Sequence, residues 1–502
     1  MKLRIKILTL SLIFFCAALG VRLIYINTAN GKKYHDGAEK QQTVTKNIAV
    51  LRGNIYDRNM ISFTKRENAL LKVGQNGEIY SSNSNRPSTF KSARRYGSSP
   101  VACHILGYLS SDGHGVCAVE KKYDSVLDFG RFYSVKYRVD GLGRPIGSVE
   151  TFGADDDSER SVKLTVDYHI QKIAENVLTE YIPKGAAVIL DVNNFDVLAM
   201  ASTPTYNQKD ISLYSSSENG ELLNRALCAY NAGSVFKIVT AASALEMNPD
   251  YENIRFFCSG SHVCRDGKTF SCNKADGHGL LSFSEAFAKS CNCAFYETGI
   301  CSGGKNLYNT ALKFGISEKV LNPDIGQATG FMPERDIYSE YETINLSIGQ
   351  GEILITPLQC ALLAATVASG GERMEVNLVS ETKTPDTGIR NEKKYGAERV
   401  ISKETADKIA SMMRLAVTDG TASHSGYEDF KAAGKTGSAE TGWKNKDGIP
   451  MVHGWFCGFF PFDNPKYAMA VFCEDGKSGA ESCVKPFMKI CEEINKIYPF
   501  IQ

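Results

Sequence analysis

Ser234 and Lys237 stand three residues apart in the run Asn231-Ala232-Gly233-Ser234-Val235-Phe236-Lys237. On a helical turn that spacing puts a hydroxyl and an amine on one face, with Cβ atoms about 5–6 Å apart. A serine hydroxyl is a weak nucleophile at neutral pH and needs a base within hydrogen-bond reach, which a partly desolvated lysine can be. Gly233 permits a sharp turn into the helix, and Val235, Ile238, Val239 and Ala242 offer an opposite face for a core. The same spacing recurs at Ser62 and Lys65, Ser271 and Lys274, Ser302 and Lys305, and Ser380 and Lys383, so spacing alone selects none of them. Order does: downstream come Ser290-Cys291-Asn292 and then Lys435-Thr436-Gly437-Ser438, and Lys-Thr-Gly occurs once in the chain.

These side chains need a scaffold. At 502 residues the chain is too long for one core and reads as two or three domains. With 57 Lys+Arg against 56 Asp+Glu the net charge is +1, so no global field draws in nucleic acid. Lys2, Arg4 and Lys6 precede an apolar run, and residues 7–26 reach the roughly 20 a bilayer needs once Arg22 snorkels. Basic residues ahead of the run keep that end in the cytoplasm and place the bulk of the chain outside. A cleaved signal peptide, with Ala17-Ala18-Leu19-Gly20 as an imperfect cleavage region, is the competing reading and gives the bulk the same location.

Residues 27–160 form a first region. Arg52 to Asn59 there reads as a strand ending in an Asp/Asn turn, with Arg52 and Asp57 available for an ion pair. The polar patch at 81–88 reads as loop and the acidic run at 155–159 as a solvated connector. From 161 the pattern is mixed α and β. A strand at 161–166, a helix capped by Asp167 through Tyr181, and two strands around Asn193-Asn194 lead to the Ser234 helix. Ser282 and Glu285 have capping-box spacing, so a helix from there presents Ser290 near its end and Asn292 in the following turn. Thr356-Pro357 opens a helix closed by Gly370-Gly371; 372–400 reads as polar loop; and a helix at 403–417 precedes three strands and a closing helix at 482–498. Asp447-Gly448 and Asp463-Asn464-Pro465 are the turns of that meander.

Fifteen cysteines predict disulfides in an oxidising compartment, and thiols in an anaerobic source. Cys258, His262, Cys264, Cys272 and His278 have a spacing that fits no familiar zinc module, so no metal is expected; Cys291, the variable position of Ser-x-Asn, reads as packing. Trp443 and Trp455 either shape a cleft wall or fill core.

With the three motifs in order, the chain resembles the class B penicillin-binding proteins, membrane-anchored transpeptidases that cross-link peptidoglycan. Arg52-Gly53-Asn54-Ile55-Tyr56-Asp57-Arg58-Asn59, Gly115 to Lys121, Ser202-Thr203-Pro204, Asn224-Arg225-Ala226, Gly349-Gln350-Gly351 with Thr356-Pro357, and His453-Gly454-Trp455-Phe456 extend the resemblance along nearly the whole length. It departs at Asn231-Ala232, where the family often has two prolines, and at Met60, where it usually has glycine. The resemblance implies a penicillin-binding transpeptidase, serine β-lactamase-like fold, an antiparallel sheet flanked by helices, with a smaller amino-terminal domain and one transmembrane helix. It divides the chain into a cytoplasmic tail 1–6, an anchor 7–26, a pedestal 27–160, too short for a glycosyltransferase domain, and a transpeptidase domain 161–502. Ser234 is then the nucleophile, Lys237 its base, Ser290 a proton relay, and Asn292 a partner of Lys237 and the substrate amide. Lys435, Thr436 and Ser438 receive the donor carboxylate, and Lys435 as a second cation helps keep Lys237 neutral. Backbone N–H groups of Ser234 and Ser438 form the oxyanion hole, with Gly437 allowing close approach. Implied partners are D-Ala-D-Ala stem peptides, β-lactams and a polytopic glycan polymerase of the SEDS family in a bacterial cell membrane, with no cofactor. Cys258 and Cys272 match family positions where a Cys-x-Gly segment and a later cysteine precede Gly-His-Gly, and their sulfurs are expected to lie close enough to bridge under oxidising conditions. A D,D-carboxypeptidase or β-lactamase-like hydrolase uses the same motifs, and a non-catalytic scaffold for a polymerase is the reading from another class.

Overall fold

The computed structural model describes residues 1–64, 71–73, 79–81, 95–96, 101–152, 160–423, 430–444 and 448–500. Of the 81–88 patch, Ser81 ends a short strand and the rest lies outside the described residues, as do the 155–159 connector and Asp447. Two compact units are present. The first comprises Met1–Leu51, Glu67–Arg94 and Phe129–Asp156, and the second Arg52–Arg66, Arg95–Asp128 and Asp157–Gln502.

In the first unit, α1 (Lys2–Ala29) buries none of its residues and, at 1.5 Å per residue, is about 42 Å long. It is the one helix among the described residues that is long and apolar enough to cross a membrane.

The second unit is built on a five-stranded antiparallel sheet. In chain order its elements include α2 (Tyr168–Tyr181), β1 (Gly185–Asp191), β2 (Val197–Thr203), α3 (Lys237–Met247), α4 (Phe283–Ala288) and α5 (Asn292–Ser302). They continue with α6 (Pro357–Ala368), α7 (Lys403–Thr418), β3 (Ala433–Lys444), β4 (Pro450–Phe460), β5 (Tyr467–Gly476) and α8 (Val484–Ile497). Spatial order is β3-β4-β5-β1-β2, so the central pair joins early and late sequence, with Gly185 opposite Cys473 and Asp191 opposite Tyr467. Alternation explains the layers. Ala186, Val188 and Leu190 of β1 and Ala468, Ala470 and Phe472 of β5 face the cluster containing α3 and α6. Ala187 and Ile189, with Met469 and Val471, face the cluster formed with α2 and α8. Both faces are covered, so these strands read as continuous apolar runs.

The caps fall where side-chain chemistry places them. The Asp167 carboxylate accepts from His169 and Ile170 N–H to start α2, and Ser282/Glu285 and Thr356/Gln359 form complete capping boxes. Val484, Met488, Cys491 and Ile494 bury one face of α8.

Four readings need correction. Residues 372–400 are not loop: Val379–Thr384 pairs with Ser161–Leu164 and with Gly388–Asn391, and three further short strands, Glu372–Met374, Val376–Asn377 and Ala397–Arg399, flank them. Polar composition hid them because their outer faces are solvated. Arg52 does not pair with Asp57. Its guanidinium meets Glu120 at 3.0 Å and Asp124 at 2.7 Å, while Asp57 accepts from the N–H groups of Asn59, Ile61 and Tyr168. Asn292 does not lie in a turn but opens α5. Finally α3 is not two-faced, because every residue from Lys237 to Leu245 is buried.

Glu120 is fully buried and also holds the Arg95 guanidinium and the Tyr96 hydroxyl. Glu120→Ala would take the buried carboxylate from Arg95 and leave Arg52 to Asp124, and should cost about 3–5 kcal/mol. Chemical denaturation of the detergent-solubilised protein should show this as a lowered midpoint; an unchanged midpoint would show that the guanidiniums find other partners.

Candidate active site

Local backbone sets the site up. Ser234 sits on a tight 3-10 turn, Gly233–Phe236, and Lys237 is the first residue of α3, so the two side chains leave the chain where one helix type becomes another. Gly233 has φ +58°, and a Cβ there would lie 2.5 Å from the Ser438 carbonyl oxygen. The turn is therefore pressed against the edge strand β3, with the Gly233 N–H donating to Gly349 O at 2.8 Å and Trp455 Nε1 to Asn231 O at 2.9 Å. A Cβ on Gly437 would fall 2.9 Å from Val235 Cγ1 and 3.1 Å from Val235 N. Only glycine lets β3 lie this close to the turn.

The three motifs converge on one hydroxyl. Lys237 Nζ is 2.7 Å from Ser290 O, 2.8 Å from Asn292 Oδ1 and 3.2 Å from Ser290 Oγ. Lys435 Nζ donates to the same Ser290 Oγ at 2.9 Å and to Thr436 O at 3.0 Å. Ser290 has φ +55°, a left-handed conformation unusual for a side chain with a Cβ, in the link between α4 and α5. None of Lys237's three contacts is to Ser234. A neutral amine has two N–H groups and one lone pair, which matches donation to Ser290 O and Asn292 Oδ1 and acceptance from the Ser290 hydroxyl.

Both lysines are fully buried, and neither forms an ion pair among the described residues. Burial lowers the Lys237 amine to about 7, against the raising influence of the Cys291, Cys272 and Cys293 thiols. Burial also holds the Lys435 amine well below its ordinary value, and repulsion from Lys237 adds to it. Desolvation, more than the neighbouring cation, thus accounts for a neutral Lys237. Walls are aromatic: Lys237 Nζ lies 5.3 Å from the Phe295 ring centre and Lys435 Nζ 5.7 Å from that of Phe287. Ser234 and Asn292 are half-buried and Ser438 is exposed, so the array has a dry floor and an open mouth.

Sequence reasoning did not single out Thr421, whose hydroxyl meets the Thr436 hydroxyl at 2.5 Å, or Gly479, whose N–H donates to Ser438 Oγ at 3.1 Å. Neither carries a motif; a Cβ on Gly479 would lie 2.2 Å from Gly437 O, a constraint visible only in three dimensions. Trp455 is core and Trp443 exposed. All fifteen cysteines are free thiols. Of the five residues weighed as metal ligands, Cys258, Cys272 and His278 come together with Cys291, their ligand atoms all within 4.8 Å, whereas His262 and Cys264 stand with Glu340. Cys291, read as packing, is fully buried and stands within that group.

Residues 185–492 match the family described as the penicillin binding protein transpeptidase domain. The chain is 30% identical over 400 residues to Stage V sporulation protein D of Bacillus subtilis, covering 77% of this chain and 60% of that protein. It is 31% identical over 417 residues to penicillin-binding protein PbpB of Mycolicibacterium smegmatis, covering 77% and 61%. The chain thus spans about 60% of the length of these curated relatives. The crystal structure of penicillin-binding protein 3 from Mycobacterium tuberculosis superimposes with a TM-score of 0.70 at 24% identity, over 91% of this chain and 98% of that one. That protein has also been solved with aztreonam and with ampicillin.

Gly233→Ala forces a Cβ into the Ser438 carbonyl at positive φ and should destabilise the protein by about 1–3 kcal/mol. The same variant read by denaturant midpoint would show no change if the turn could relax away from β3.

Proposed function

The chain belongs to the family of penicillin-binding protein transpeptidases, and on that premise we propose that it is a serine D,D-transpeptidase that cross-links peptidoglycan stem peptides and is acylated by β-lactams. The carrying observation is that one hydroxyl, Ser290 Oγ, joins the lysines of two motifs separated widely in sequence. In the proposed reaction Ser234 Oγ attacks the carbonyl of the penultimate D-alanine while its proton passes to Lys237 Nζ. The oxyanion that forms is held by backbone N–H groups of Ser234 and Ser438. Lys237 returns the proton through Ser290 Oγ to the departing D-alanine amine, the C–N bond breaks, and an acyl-Ser234 ester remains. An acceptor amine then attacks the ester, Lys237 takes up its proton and passes it to Ser234 Oγ, and the ester C–O bond breaks as the cross-link forms. Asn292 fixes the Lys237 amine and meets the substrate amide, and Lys435, Thr436 and Ser438 face the donor carboxylate at the open end, where the negative charge favours protonation of Lys435.

In the same reading α1 crosses a bacterial cell membrane once, with Lys2, Arg4 and Lys6 in the cytoplasm. Residues 27–160 form the pedestal and 161–502 the catalytic domain outside, with Arg52–Arg66 and Arg95–Asp128 of the pedestal belonging to the compact unit of the catalytic domain. A SEDS-type glycan polymerase in the membrane is the partner that supplies strands to be joined.

Fluorescent-penicillin labelling followed by peptide mapping tests the chemistry. Ser234→Ala should abolish labelling, and Lys237→Ala should slow acylation by roughly 10³-fold or more with the fold intact. An adduct on another residue would overturn the assignment.

The neutral Lys237 amine is the active form, so acylation should be full above about pH 7 and fall with protonation below it, about tenfold per pH unit. A flat rate through neutrality would exclude Lys237 as the base. With a stem-peptide donor and an amine acceptor, cross-linked product supports transpeptidation, and exclusive release of hydrolysed donor supports a carboxypeptidase.

A further inference from the structure

We propose that Cys258, Cys272, His278 and Cys291 form a tetrahedral thiolate-rich site for a zinc-class divalent cation, which clamps the catalytic Ser290–Asn292 segment to the 255–282 excursion. The geometry carries this. Cys258 Sγ and Cys272 Sγ each lie 3.6 Å from His278 Nδ1, and Cys272 Sγ lies 3.9 Å from Cys291 Sγ. A tetrahedral zinc ion with metal–sulfur bonds of about 2.3 Å and a metal–nitrogen bond of about 2.0–2.1 Å has ligand edges of about 3.8 Å between sulfurs and about 3.6 Å between sulfur and nitrogen. The three edges fall at those lengths. Three sulfurs and one imidazole also suit a borderline-soft tetrahedral ion better than a hard, oxygen-seeking one.

The ligands come from separate pieces of chain. Cys258 ends the strand Arg255–Cys258, His278 precedes its partner strand Gly279–Ser282, Cys272 follows Thr269–Ser271, and Cys291 is the residue from which α5 starts. Cys258, Cys272 and Cys291 are buried and His278 half-buried, so the centre is shielded yet reachable. Gly277 closes the loop at φ +75°, where a Cβ would lie 2.2 Å from Cys258 O. Binding exchanges three S–H protons, released to the buffer, for three metal–sulfur bonds, with His278 ligating as the neutral imidazole. Because Cys291 stands between Ser290 and Asn292, the ion fixes the backbone that carries Lys237's two oxygen partners and the shared hydroxyl. That catalytic consequence rests on the reading of the site given above; the metal site does not.

The full chain, purified reduced in detergent and loaded with zinc, should retain about one zinc after desalting, with an X-ray absorption shell of three sulfurs and one nitrogen. Loss of all zinc on desalting, a shell without sulfur, or a Cys258–Cys272 disulfide in chain isolated without oxidant would overturn the site. Cys258→Ser and His278→Ala should each bring zinc to background, while Cys301→Ser, an exposed thiol, should keep it. If those variants fail to fold, cobalt substitution of the wild-type chain should give intense thiolate-to-metal charge-transfer absorption, and its absence would equally overturn the site. Chelation should slow fluorescent-penicillin acylation about tenfold at constant pH, with recovery on adding zinc. Unchanged acylation with the metal gone would overturn the clamp alone. Absence of any acylation in the zinc-loaded chain would instead sink the transpeptidase reading and leave the metal count to stand by itself.

Discussion

Two buried amines share one serine hydroxyl. No carboxylate accompanies either lysine among the described residues, so the protein interior cannot sustain both as ammonium ions. Desolvation is the device: it lowers the Lys237 amine to about 7 and holds the Lys435 amine well below its ordinary value, and it works only while water is kept out. That requirement explains the surroundings. The helix carrying Lys237 is buried on every side, the rings of Phe287 and Phe295 line the amines, and the strand bearing Lys435 is pressed against the nucleophile's turn through two glycines. Catalytic polarity here is obtained from an apolar core.

What the sequence made readable follows from how local each signal is. Caps at Asp167, Ser282 and Thr356 are contacts between near neighbours, and their residue types declare them. Apolar runs for β1 and β5 point to a sheet covered on both sides. The gathering of Lys237, Ser290, Asn292 and the Lys-Thr-Gly strand was visible because motif order carries information that no single motif does. Long-range polar contacts left no such trace: Arg52 to Glu120, Thr421 to Thr436 and Gly479 to Ser438 join residues whose spacing predicts nothing. The strands between 372 and 400 were missed because solvated strands lack the apolar alternation that betrays a core-facing one. The neighbours of Cys291 were not legible because Cys258, Cys272 and His278 arrive from a separate excursion of the chain.

Glycine acts at this site by closing distance more than by loosening it. At Gly233, Gly437 and Gly479 a single methyl group would meet a carbonyl, a peptide nitrogen or a neighbouring side chain of the opposing segment. Three short steps of backbone thereby bring a turn, an edge strand and a following helix into one shell, and the exposed Ser438 marks where that shell opens. The positive φ of Ser290 is the counterpart: a residue with a full side chain accepts an unfavourable conformation so that its hydroxyl meets both amines.

The pairing of β1 with β5 sets an order of assembly. Gly185 must find Cys473, and the chain between them carries Ser234, Lys237 and the shared Ser290 hydroxyl. A chain emerging from its amino terminus can form β1, β2 and α3 early, yet the sheet acquires its remaining strands only after nearly the whole polypeptide is available. Such non-local closure is slow, because its entropic cost is met before the contacts reward it. The Lys435 strand comes to the shared serine through this last closure, so a nascent or clipped chain holds the Ser234 turn without its partner strand. The topology itself delays assembly of the site until the late strands are in place.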